Sequence, residues 1–135
     1  MAWSTVVLST VATLSKWEVD DVTAFNVDTF VTDKIAKGKE RIGDYLSVVY
    51  SDLDLLTNAD TVLVSASDFI VLAFMYYDKS NGIPDTPYHY KYLHYIEQYE
   101  KEIAMAVKRL TTSDDSKPKF FSGNVSLLRW TKILA

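Results

Sequence analysis

The stretch VLVSASDFIVLAFMYY, residues 62–77, decides how this chain folds. Asp68 is its one charged residue, and its apolar side chains fall on every side of a helix of 3.6 residues per turn. A helix apolar all round is enclosed by protein. It is therefore predicted to be the central helix of the domain, or to give its outer face to a subunit contact. Its longest apolar run, residues 69–77, falls well short of the roughly 20 residues that a membrane-spanning helix needs. Asp68 is expected near the N-terminal end of the helix, where a carboxylate meets unpaired backbone N–H groups and the positive end of the dipole.

On the N-terminal side, Val31, Ile35, Ile42, Leu46, Val49 and Leu53 recur at helical intervals, which predicts a long amphipathic helix over residues 28–50 started by Asn26 or Asp28. Its other face, with Asp33, Lys34, Lys37, Lys39, Glu40, Arg41 and Asp44, is mixed in sign, and Asp33 precedes Lys37 by one turn as a supporting pair. Residues 51–60 read as a polar connector, with Asp60 or Ser65 opening the next helix. Further toward the start, residues 3–8 form a brief strand-like run. Ser9 or Thr10 then caps a short helix that ends before Asp20 and Asp21.

On the C-terminal side, NGIPDTP at residues 81–87 predicts a sharp break, with Gly82 as a left-handed cap and Thr86-Pro87 starting a new helix. A helix hairpin follows. In residues 88–110, Tyr88, Tyr92, Tyr95 and Tyr99 lie on one stripe that Ile103, Ala106 and Leu110 continue. A tyrosine ring adds apolar area while its hydroxyl needs a polar partner, so this stripe suits the edge of a core or a subunit interface. A base-stacking platform is the alternative. Glu97, Glu100 and Glu102 on its flanks weigh against it.

After Leu110 the helical period stops, and Pro118 lies in a polar segment ahead of FFSGNVSLLRWTKILA, residues 120–135. Phe120, Phe121, Leu127, Leu128, Trp130, Ile133 and Leu134 are too many large apolar side chains for a free tail in water. They are predicted to form a partner-binding arm, docked on this chain or on a neighbour. The fold expected is all-α: a small bundle of three long helices plus a short N-terminal helix, with an extended or hairpin C-terminal tail. Residues 1–111 make the helical domain and residues 112–135 the assembly arm.

With 135 residues the chain is long enough to bury roughly two-thirds of its unfolded surface in one core. It has no cysteine, which removes disulfides, thiolate metal sites and thiol nucleophiles. The net charge of -4 disfavours nucleic acid or an anionic membrane as the primary partner. That charge is uneven, since residues 111–135 carry Lys117, Lys119, Arg129 and Lys132 against Asp114 and Asp115, which leaves the body the more acidic part. His89 and His94 are the only histidines, and five residues of helix turn them about 140° apart. No phosphate-cradling glycine loop, zinc-binding histidine pair or serine-nucleophile elbow occurs. An enzyme is not expected, and neither a cofactor nor a metal.

The order of these parts resembles a known family. The helix VTDKIAKGKERIGDYL (residues 31–46), the buried helix ASDFIVLAFMYY (residues 66–77) and the tyrosine-rich helix of residues 88–110 resemble the small head–tail connector (adaptor, head-completion) proteins of tailed bacteriophages. The resemblance covers residues 9–110 and rests on helix-spacing patterns. It implies a homo-oligomeric ring, typically of twelve copies, docked beneath the portal protein in the virion. A downstream tail or stopper protein would follow, with DNA passing through the channel without specific binding. It brings no catalytic residues and no cofactor. Such a protein would be made in the host cytoplasm, with no membrane association. The other reading is a small helical regulatory or protein-binding module that engages one host or phage partner.

Overall fold

The computed structural model describes residues 2–110. They form six α-helices: α1 (Val11–Ser15), α2 (Val19–Phe25), α3 (Phe30–Val49), α4 (Ala59–Val62), α5 (Val64–Ser80) and α6 (Pro87–Arg109), with 3-10 turns at Trp3–Thr5 and Leu53–Leu55. The all-α bundle holds, with α3, α5 and α6 as its three long helices. Among the described residues no helix is long and apolar enough to cross a membrane.

The central position of α5 follows from its composition. Eight apolar residues between Ala66 and Tyr76, with Ser67 and Asp68, are buried, because α6 covers one side of the helix and α3 another. The enclosure is incomplete, however. Phe74 is half-buried and Tyr77 is 48% exposed, since α3 and α6 flank α5 without closing over that side. The predicted helix also starts differently: a break at Leu63 separates α4 from α5, and the N-caps are Asn58 and Leu63 rather than Asp60 or Ser65.

The hairpin forms as its turn residues dictate. Asn81, rather than Gly82, takes the left-handed C-cap position of α5 with φ of 52°, and Gly82 follows at φ of 70°. Thr86 Oγ1 accepts from the His89 N–H at 3.2 Å with Pro87 in the first turn of α6. This satisfies one of the orphan donors of a helix start and uses a residue that has no N–H to satisfy.

In α3 the apolar face predicted from spacing is buried at Val31, Ile42, Leu46 and Val49, while Ile35 sits half-buried at its edge. The buried stripe also takes in Gly38 and Lys34, and Lys34 is thereby corrected from the solvated polar face to the buried one. Lys34 keeps its ammonium paired with Asp78 of α5 and over the Phe30 ring. The helix starts at Thr29 and not at Asn26 or Asp28. Asp28 is in the left-handed region, and Asp33 accepts from Thr29 Oγ1 at 3.0 Å instead of pairing with Lys37.

The N-terminal segment is strapped across these helices. Trp3 donates its N–H to Asp54 Oδ1 at 2.7 Å, and its indole lies against Gly43 of α3. The strand-like run expected over residues 3–8 is corrected: Trp3–Thr5 is a 3-10 turn, and only after it do buried Val6 and Leu8 alternate with Val7, 64% exposed, as in an extended segment. Thr10 caps α1 in a reciprocal capping box with Thr13. The single short helix expected here is two: α1 ends at Ser15, and after residues 16–18 Asp20 and Asp21 occupy the first turn of α2 instead of ending a helix, a place where acidic side chains are favourable.

Candidate functional site

The tyrosine stripe of α6 is the seam of the helix hairpin. Tyr95 stacks on Phe69 at 5.9 Å and on Tyr76 at 6.0 Å, Tyr88 stacks on Tyr76 at 5.8 Å, and Tyr92 meets Tyr77 at 5.0 Å. Tyr95 and Tyr99 are buried in the chain's own core. The reading of all four tyrosines as a subunit interface is corrected for these two, because Phe69 and Tyr76 of α5 stack against Tyr95, and Tyr99, beside Arg41 of α3, is buried within the same chain. Tyr88, 37% exposed, and the half-buried Tyr92 keep surface for a neighbour. Burial pushes the Tyr99 hydroxyl up to about 12, with Arg41 of α3 pulling the other way.

Two polar networks tie the helices together, one buried around Asp68 and one part-buried around Lys91. Asp68 accepts on Oδ1 from Ser9 Oγ (2.8 Å) and Thr13 Oγ1 (2.9 Å), and on Oδ2 from Trp17 Nε1 (3.2 Å). Ser9 Oγ also lies 2.6 Å from Ser67 Oγ. The carboxylate does not cap the backbone of α5, as its place in the sequence suggested. It sits one turn into the helix and receives three side-chain donors from residues 9–17, which fasten the N-terminal segment to α5. Burial raises the Asp68 pKa above the ordinary carboxylate range, against the opposing effect of those donors.

The second network joins α2, α5 and α6. Lys91 Nζ bridges Glu18 Oε2 (3.0 Å) and Asp21 Oδ2 (3.1 Å), Tyr76 donates to Asp21 Oδ2 at 2.6 Å, and Tyr95 donates to Glu18 Oε1 at 2.7 Å. The Tyr76 hydrogen bond lowers the Asp21 pKa, burial opposes that shift, and Lys91 adds to it. Burial also works against the charge on Lys91, but the two carboxylates outweigh it and hold its pKa above the usual lysine range. No spacing rule points to this cluster. Its hydrogen-bonded partners are 55 to 77 residues apart in the chain.

On the opposite side of α3, an open cleft of about 300 Å³ is lined by Lys37, Glu40, Arg41, Asp44 and Phe74. A larger one of about 620 Å³ lies by the hairpin turn, between Phe30, Tyr77 and Lys79. His89 and His94 have separate aromatic neighbours, Tyr92 and Tyr95, and among the described residues no group of three His, Asp or Glu is placed to hold a metal ion. No protein family, no curated protein and no solved structure matches this chain. The predicted arm residues Phe120, Phe121, Leu127, Leu128, Trp130, Ile133 and Leu134 lie outside the described residues.

Proposed function

We propose that this chain is a structural assembly protein of the head–tail connector kind, a ring-forming adaptor that joins a portal to the next tail component around a DNA channel. The observation that carries the reading is a division of labour along the chain. The body commits Tyr95 and Tyr99 of its aromatic stripe, the buried Asp68 and the part-buried Glu18 to its own packing, while the stretch richest in large apolar and basic side chains outside it is the C-terminal segment. A rigid helical wedge with an adhesive arm suits repeated docking against identical neighbours. Further support comes from the order of the parts, in which a long amphipathic helix and a helix hairpin pack on one another.

In this reading residues 119–135 grip the portal or an adjacent copy, Tyr88 and Tyr92 contribute to the contact between copies, and an acidic body lets DNA slide past without binding it. The test is to delete residues 119–135. Far-UV circular dichroism of the truncated protein should match the full chain in helix content over residues 2–110, while assembly on portal-bearing capsids is abolished. Loss of the helical signal would place the arm in the monomer's own core, and unimpaired assembly would remove the arm from the contact. Either result overturns the reading.

A further inference from the structure

The exposed face of α3 carries Lys37, Glu40, Arg41 and Asp44, positions that share one side of a helix. They rim the cleft of about 300 Å³ that has Phe74 of α5 as its apolar member. Two features define this face. Like charges stand four residues apart, Lys37 with Arg41 and Glu40 with Asp44, while opposite charges stand three apart, Lys37 with Glu40 and Arg41 with Asp44; among the described residues none of the four makes an ion pair, and Arg41 also acts on the Tyr99 hydroxyl. Phe74, meanwhile, leaves part of a large ring uncovered on the most enclosed helix of the fold.

The order of signs along the face is plus, minus, plus, minus. A second copy of the same face laid antiparallel reads minus, plus, minus, plus. With a two-fold axis between residues 40 and 41, Lys37 meets Asp44 of the second copy and Glu40 meets its Arg41. The reciprocal pairs form by symmetry. The axis passes the cleft that all four residues line, so the two Phe74 rings come together at its centre. Laid parallel in register, the same faces would set like charge against like.

We propose that this face is a docking surface for a second copy of the chain, packed antiparallel across α3 with Phe74 at the centre. The proposal stands apart from the connector reading, since a two-fold contact closes on itself whereas a ring repeats one contact around an axis. It describes the free protein. Exposed ion pairs are weak and screened by salt, and one helix face is small for a stable interface, so the dimer should depend on concentration and dissociate as salt is raised. The charges set orientation, and Phe74 supplies apolar area.

Sedimentation equilibrium of the full chain at low and high salt tests this. The wild type should form a salt-sensitive dimer. The acidic-face variant (Lys37→Glu with Arg41→Glu) and the basic-face variant (Glu40→Lys with Asp44→Lys) should each lose association by at least about tenfold through like-charge contact. Mixed in equal amounts they should regain it as a one-to-one complex. A second measurement is independent of charge: in this cysteine-free chain, Glu40→Cys beside the axis should oxidise readily to a linked dimer, while Thr32→Cys far from it should not. A wild type monomeric throughout, a dimer indifferent to both reversals, a mixture that stays dissociated, or equal cross-linking at both cysteine positions would each overturn the proposal.

Discussion

Replacing Gly38 by alanine probes the contact on which the bundle is built. Gly38 is buried where α3 crosses α5, and a Cβ there would lie 2.5 Å from Val71 Cγ2 and 3.3 Å from Ile70 Cγ2. Ordinary carbon contacts are about 3.5 to 4.0 Å, so α3 would have to lift by roughly an ångström or Val71 would have to turn. Val71 is β-branched and fully buried, and β-branched side chains in helices hold one χ1 rotamer. Overpacking of this kind costs about 1 to 3 kcal/mol, offset by about 1 kcal/mol from replacing a helical glycine with alanine. The net expectation for Gly38→Ala is a loss of about 1 kcal/mol, or a fall in melting temperature of roughly 4 °C or more in a domain of this size. Urea denaturation of Gly38→Ala, Val71→Ala and the double variant closes a cycle. The double variant should be at least about 1 kcal/mol more stable than the sum of the singles predicts, because Val71→Ala removes the clashing methyl and the new Cβ fills part of its space. If Gly38→Ala stabilises the protein, or if the two effects simply add, the helices do not approach as described.

Two further substitutions test the polar contacts. Tyr50, 2% exposed, donates its hydroxyl to the Val107 carbonyl at 2.7 Å, in the last turn of α6 where carbonyls lack helical partners. Tyr50→Phe should cost about 1 to 2 kcal/mol in chemical denaturation, and stability equal to wild type would mean that water or another donor serves that carbonyl. Asp68→Asn keeps the size but turns an amide N–H toward Trp17 Nε1, and it should destabilise the protein more at pH 4 than at pH 7. The sign follows from the raised folded pKa of Asp68: its contribution is fully present below the unfolded value of about 3.9 and is lost as pH rises through the folded one. Asp21, whose pKa is lowered, contributes in the opposite sense but equally to both proteins, so it cancels in the difference. Urea midpoints at the two pH values decide, and a larger deficit at pH 7 would refute the assignment.

Residues 62–77 and the apolar spacing of α3 determined by themselves that the chain folds around a central helix flanked by amphipathic ones. Local chemistry fixed the hairpin as well: Thr86 and Pro87 can start a helix and Asn81-Gly82 can end one, whatever surrounds them. What the tertiary structure alone decided is which side chains those helices spend on each other. Tyr95 and Tyr99 look like interface residues in one dimension, yet they are core: Phe69 and Tyr76 on α5 stack against Tyr95, and Tyr99 is buried within the same chain. Asp68 looks like a helix-end carboxylate, yet it anchors residues 9–17, whose donors lie 51 to 59 positions away in the chain. Phe74 looks as enclosed as its neighbours and instead opens into the α3 cleft. A periodic pattern records which side of a helix is apolar, because that depends on residues a turn apart. Which neighbour covers that side, and where the cover stops, depends on how distant segments meet.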